Sequence, residues 1–391
     1  MKTPKLISPL VVIGLFYWFV VRRREAGGPV DPIQLVDPDR LVDKLCDPFA
    51  EPGFLHYDPE NPFGTRWIPY PESCEPAPDW LSLLAKKDTN RLSFLKNRTI
   101  LILGDSVDRN ALHHFAEMFG LPRYCVPFDD FSKKGVVPTG WDDRGIPWVV
   151  EVPWLGLTLT NGFFYGVDDE DNFKQKPDWH APGKAEDRID KLFKVHTAQL
   201  PQDPSFISLH SGLWDLAFFG RQDRAWQQSS EAPLSNERVR VWVKRAAQIL
   251  EHTRKTWPGI PVWYRKLHRV GPVGQASSLS VSTSDDFRHD GKAEAAPEKF
   301  SNFFTNVRTH ELREMMDGVA IAMGAPVFDF GELFEGWQRA AGRKYPAAPL
   351  YISALIHHVY MEHVGRKGWR LWHQRELFPV TAFNNSAPVA A

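Results

Sequence analysis

From residue 99 onward, short apolar runs alternate with longer stretches in which apolar residues recur every three or four positions. Thr99-Ile100-Leu101-Ile102-Leu103 is unbroken and predicts a buried strand; Gly104-Asp105-Ser106 predicts a sharp turn, and Ala111, Phe115 and Met118 predict a helix over Val107–Phe119. Trp148–Val152 and Leu155–Thr160 read as two strands, Ala185–Leu200 as an amphipathic helix, and the stretch from Ser205 as another strand-to-loop junction. Val239, Trp242, Val243, Ala246, Ile249 and Leu250 form one face of a helix over Ser235–Trp257, with Ser235 as N-cap and Pro258-Gly259 as its stop. A strand over Ile260–Tyr264, a helix over Glu298–Met323 and a strand over Pro326–Asp329 complete the pattern. Such alternation predicts an α/β domain with a mostly parallel sheet covered on both faces.

The flanks differ. Leu6–Val21 is almost wholly apolar, preceded by Lys2 and Lys5 and followed by Arg22-Arg23-Arg24, with no small-residue cleavage site after it. This predicts an uncleaved transmembrane signal anchor over residues 1–24. Residues 25–98 are rich in Pro, Asp and aromatics and predict an accessory region, with helical spacing only near Trp80–Leu95; the α/β domain is expected over 99–380 and a tail over 381–391. Within the domain, residues 271–297 carry Gly, Ser, Ala and charges with few aromatics, the composition of a flexible insertion.

Composition narrows the partners. The 391 residues carry a formal net charge of −1 and no long basic tract, which argues against nucleic acid. Fifteen tryptophans suit core packing and, secondarily, stacking on sugar rings. Charge does not orient the anchor, but the sequons Asn97-Arg98-Thr99 and Asn384-Asn385-Ser386 favour a lumenal body. The acidic run Asp168–Asp171 reads as a solvated loop, and His358-x-x-x-Glu362-His363 misses the inverted zinc-protease spacing by one residue, so no metal site is expected.

Ser106 carries the candidate chemistry. A serine where a strand hands over to a helix sits beside unpaired backbone N–H groups and positive partial charge, which suit an oxyanion formed next to a nucleophilic hydroxyl. Gly104-Asp105-Ser106-x-x-Arg109-Asn110 after an apolar strand resembles the first block of the SGNH, or GDSL-type, hydrolase superfamily. Through Arg109-Asn110 it is similar, more narrowly, to the PC-esterase branch. That branch includes plant trichome-birefringence-like polysaccharide O-acetyltransferases and the catalytic domain of animal sialic-acid O-acetyltransferase. The resemblance implies a three-layer SGNH-like fold, a lumenal setting in the Golgi or endoplasmic reticulum, and transfer or hydrolysis of an O-acyl group, chiefly acetyl, on a glycan. It also implies no tightly bound cofactor, with acetyl-CoA or an acetylated intermediate as candidate donors. The region before Ser106 looks like the cysteine-containing region of the trichome-birefringence-like proteins. In an oxidising lumen Cys46 would pair with Cys74 and leave Cys125 as the free thiol.

The resemblance assigns the remaining roles. A glycine after a strand supplies an oxyanion N–H in SGNH proteins, and both Gly162 and Gly166 fit. In Gly212-Leu213-Trp214-Asp215, Trp214 stands where the third SGNH block has its oxyanion asparagine, so Gly212 or a cation becomes the substitute donor. Arg265, after the Ile260–Tyr264 strand, is a candidate to hold an acyl oxygen or glycan hydroxyl, whereas His268 reads as a structural histidine. The superfamily ends on Asp-x-x-His before a final helix. Leu350–His358 is the matching stretch, with His357 as first candidate base and His358 as reserve, but Ala354 and Leu355 occupy the positions of the acid. Three outcomes stay open: another carboxylate such as Asp329 or Glu362 reaches in, a Ser–His dyad works alone, or the chain is a catalytically impaired glycan-binding protein. The acyl reading as it stands requires a histidine of the C-terminal segment, His357 or His358, within reach of Ser106.

Overall fold

Strand β3, Thr99–Gly104, is buried along its whole length and forms the centre of a seven-stranded sheet. The computed structural model describes residues 46–56, 61–126, 146–167, 184–226, 232–268, 305–333 and 347–365. The chain divides into two units, 1–46 and 47–391, and all elements named here belong to the second. The expected anchor, the insertion over 271–297 and the tail lie outside the described residues. Among the described residues no helix is long and apolar enough to cross a membrane.

A small antiparallel pair, β1 (Gly53–His56) and β2 (Arg66–Pro69), precedes helix α1, Trp80–Ala85. The large sheet then takes β3, β4 (Arg123–Cys125), β5 (Trp148–Val152), β6 (Leu157–Phe163), β7 (Pro204–Leu209), β8 (Val262–Arg265) and β9 (Val327–Phe328) in the order β4-β5-β6-β3-β7-β8-β9. β6, β3, β7, β8 and β9 run parallel, and β4 and β5 add an antiparallel edge. Counted along the chain, the parallel strands lie in the order 2-1-3-4-5, one of the two common doubly wound arrangements. The chain leaves β3 for β6 on one side and returns to β7 on the other. The carboxyl end of β3 is therefore the topological switch point, where open α/β sheets place their ligand crevice.

Alternation along β3 separates the two faces. Ile100 and Ile102 pack with Leu112, Phe115 and Ala116 of α2 (Ser106–Phe119), whereas Leu101 and Leu103 pack on the opposite side. That second side is covered by Ala185–Arg188 and its continuation through Phe193, by α3 (Leu213–Ala225), by α4 (Asn236–Thr256) and by α5 (Asn306–Met323). Ser235 caps α4 through a hydrogen bond from the Arg238 N–H, as its spacing predicts. Two helices depart from the sequence pattern. α3 replaces an expected loop, and α6 (Ala347–Gly365) runs through the stretch expected to carry a histidine before the final helix.

Helix α6 is buried all round: Leu350, Tyr351, Ile352, Ala354, Leu355 and Ile356 are each 0 % exposed. It lies in the layer beside α2, and Trp80, Leu81, Leu84, Phe94 and Leu95 of the preceding region share its core cluster. From Asp47 on, the Pro- and aromatic-rich stretch thus belongs to the same unit as the sheet. Cys46 and Cys74 are each in a disulfide, and Cys125 is buried and outside any disulfide. Truncating a residue enclosed from both sides leaves a cavity that cannot collapse. Ile356→Ala is expected to cost about 2–5 kcal/mol, read as a lower urea midpoint with an unchanged m-value.

Candidate functional site

The turn after β3 is built by two aspartates. Asp105 is the N-cap of α2: its Oδ1 accepts from the Val107 N–H at 2.8 Å, and its own N–H donates to Asp108 Oδ2 at 2.9 Å. This is a capping box with aspartate in the place usually held by Glu or Gln. Gly104 is required by the same contact, since a Cβ there would overlap the Asp108 carboxylate. Ser106 is the first residue of α2, and the cap engages the N–H groups of Val107 and Asp108 rather than its own.

Three distant parts of the chain lock this turn. Arg265 at the end of β8 donates through Nη2 to Asp108 Oδ2 at 2.7 Å, with Asp105 Oδ1 at 4.0 Å. The Tyr351 hydroxyl, from α6, donates to Asp108 Oδ1 at 2.7 Å. His210, just past β7, places Nε2 3.2 Å from Asp105 Oδ2 and Nδ1 3.0 Å from the Arg265 carbonyl oxygen. Both partners of that imidazole are acceptors, so the two bonds form together only when both nitrogens carry a proton. Asp105, Asp108, His210, Arg265 and Tyr351 are all buried. Burial alone would raise the Asp105 carboxyl, but the hydrogen bond and charge of His210 and the charge of Arg265 outweigh it and hold it well below the usual range. Burial, reinforced by the Asp108 charge, pushes the Tyr351 phenol well up and keeps it a donor.

A second imidazole lies near the same strand ends. His268 follows β8, packs its ring against Phe330 at 6.4 Å between centroids, and has no hydrogen-bond partner at Nδ1. Burial, then the Arg265 charge, lowers it to about 3 against the opposing pull of Asp105, so it is neutral near pH 7.

The structure puts His357 and His358 elsewhere. His358 Nε2 lies 3.3 Å from Asp47 Oδ2 and His357 Nε2 3.7 Å from Asp47 Oδ1. The His358 ring stacks on Trp263 at 4.2 Å, and His357 packs against Phe49 at 5.3 Å. On α6 the residue that reaches the turn is Tyr351, and His358 lies two turns beyond it, about 10 Å along the axis. The proposed base is therefore displaced because its segment is helix rather than loop. Of the carboxylates weighed as replacements, Asp329 is held by Lys266 at 3.0 Å and Arg313 at 2.8 Å, and Glu362 accepts from Trp263 Nε1 at 2.8 Å. The carboxylate facing these histidines is Asp47. Burial would raise it, but the charge and hydrogen bond of His358 and the charge of His357 lower it.

The remaining candidates divide. Arg265 is 0 % exposed and spent on the aspartates, so it braces the turn and is not presented to a ligand. Gly162 lies within β6 opposite Leu103, because that strand runs on to Phe163, and a Cβ there would press on Phe193. Gly166 has φ +95°, and the Asp215 carboxylate fills the space of its missing side chain; its carbonyl accepts from Arg188 at 2.7 Å. Gly212 has φ +142°, just before α3. Arg109 lies over the Phe163 ring at 5.7 Å and reaches Asn110 Oδ1 at 3.5 Å, and Trp214 packs edge-on to Phe163 at 5.9 Å. Asp108, His210, Tyr351 and Asp47 carried no role in the sequence. Only Asp108 left a local signal, the Asp-x-x-Asp spacing of the cap. Among the described residues no group of three or more His, Cys, Asp or Glu could hold a metal ion. No family model, curated protein or solved structure matches the chain.

Arg265→Met leaves two buried carboxylates facing each other without their cation. It is expected to cost about 3–5 kcal/mol in urea unfolding, part of it recovered by pairing the change with Asp108→Leu.

A second expectation concerns acid. Burial lowers His196 and His357 to about 4 and His268 to about 3. An unfolded chain takes up these protons near pH 6.5 while the folded chain refuses them, so stability rises with pH across that window and falls as pH drops from about 6.5 to 4. His357→Phe should remove about one proton from the slope of stability against pH, measured by urea unfolding at pH 4.5, 5.5 and 7.

Proposed function

We propose that the chain handles O-acyl groups through Ser106, transferring them to or hydrolysing them from a glycan. The observation that carries this reading is the position of Ser106: first residue of a fourteen-residue helix, at the switch point of the sheet. The Ser106 hydroxyl attacks the acyl carbon of an ester and passes its proton to the base, while its backbone N–H, at the positive end of α2, meets the oxyanion; the ester C–O bond breaks, the donor alcohol leaves with that proton, and water or a sugar hydroxyl then takes the acyl group from Ser106. With His357 and His358 beside Asp47, the reading needs a different base; His210 has a partner at each ring nitrogen and serves as a positioning group, and His268, neutral with Nδ1 unpartnered, is the imidazole assigned that role in this proposal. So low a basicity implies slow chemistry, because general-base efficiency falls as the catalytic pKa drops below the working pH. The Gly104-Asp105-Ser106-x-x-Arg109-Asn110 string, similar to that of the PC-esterases, supports an acetyl group and a sugar hydroxyl. The Leu6–Val21 run and the Cys46 and Cys74 disulfide support a membrane-anchored body in the secretory lumen. A catalytically silent glycan-binding protein is the second reading, favoured by the position of His357 and His358 beside Asp47.

Purified chain incubated with p-nitrophenyl acetate separates the two. Ser106→Ala is expected to lower the rate by at least roughly a hundredfold and His268→Gln by at least roughly tenfold, with His357→Gln close to wild type. Equal rates for wild type and Ser106→Ala would leave the binding protein.

A further inference from the structure

Phe163 ends β6 directly opposite Gly104, and its neighbour Phe164 donates its N–H to the Gly104 carbonyl at 2.7 Å. On the other flank of β3, His210 donates its N–H to the Leu103 carbonyl at 2.8 Å, and the chain then enters α3 at Leu213. Trp214 belongs to this second flank, yet its ring meets that of Phe163 at 5.9 Å, edge to face. The two flanking strands lie about 9.5 Å apart, twice the spacing of neighbouring strands. Trp214 therefore reaches from the β7 flank of β3 across to the β6 flank, at the carboxyl end of the sheet. Its span is fixed from below. The adjacent Asp215 accepts from the Val167 N–H at 2.9 Å, and its carboxylate fills the space that a side chain at Gly166 would need. Phe163 itself is held between Tyr165, at 6.3 Å, and the Arg109 guanidinium. Phe218 and Leu192 complete an apolar cluster in which Trp214 stays partly exposed.

We infer that Trp214 is a specificity-determining residue that limits the length of the acyl chain accepted at Ser106. The inference rests on the acyl reading above and goes beyond it. A wall built largely of packed rings tolerates a methyl group and leaves little room behind it. Because Asp215 tethers the first turn of α3, the indole cannot withdraw to admit a longer chain. Each further methylene then meets the wall, and one methylene against a hydrophobic pocket changes specificity by roughly 10–200-fold.

The test uses the full chain and compares kcat/KM for p-nitrophenyl acetate and p-nitrophenyl butyrate in wild type, Trp214→Ala and Trp214→Phe. Wild type should favour acetate by roughly tenfold or more. Trp214→Ala should reverse or erase that preference by raising the butyrate rate, and Trp214→Phe should fall between. An unchanged acetate-to-butyrate ratio in Trp214→Ala, with Ser106-dependent turnover intact, overturns this inference and leaves the acyl reading standing. Loss of both rates in parallel overturns it too, since a gate that only supports the fold does not alter the ratio. Absence of any Ser106-dependent turnover in wild type removes both.

Discussion

The carboxylate of Asp108 is buried with no water to solvate it, and it is tolerable there because three donors converge on it: the Asp105 N–H, the Arg265 guanidinium and the Tyr351 hydroxyl. These come from the turn itself, from β8 and from the last helix of the described chain. A buried charge is costly unless every partner is in place, so the geometry of the turn is tied to the docking of elements far away in sequence. Gly104 follows from the same constraint, because the carboxylate folds back over the strand end. Through that anchor the first turn of α2 is held rigid, and Ser106 with it.

His210 extends the lock to β7. Its Nε2 lies against Asp105 and its Nδ1 against the Arg265 carbonyl, so it ties three neighbouring strand ends together. An imidazole used in this way has no nitrogen left to take a proton from a hydroxyl. Preorganisation of the turn and supply of a base are thus separate tasks here.

The last helix shows how burial redirects chemistry. Leu350 to Val359 is apolar around the full circumference apart from Ser353 and the two histidines, and such a helix is stable only when covered on every side. The sheet layer and the Trp80–Leu95 region provide that cover. His357 and His358 are enclosed with it, against Trp80, Trp263 and Phe49, where Asp47 is the charge that meets them.

Local pattern determined the parallel α/β class, the extents of β3, α2 and α4 to within a residue or two, and the Ser235 cap, because periodicity, capping and turn chemistry act over a few residues. The Asp105-x-x-Asp108 spacing was legible too, although its meaning depended on Arg265 and Tyr351. Tertiary structure decided the rest. Arg265 looked like a ligand-binding cation at a strand edge, but whether it faces a crevice or the interior depends on which helix packs above it. His357 was named as a base through the resemblance of Leu350–His358 to the superfamily's last block, but that stretch is helix rather than loop and sets His357 beside Phe49 and Asp47. The span of Trp214 over β3 depends on strand order, which no local run of residues encodes: β6 and β7 are 40 residues apart in the chain and flank the same strand only in the folded sheet.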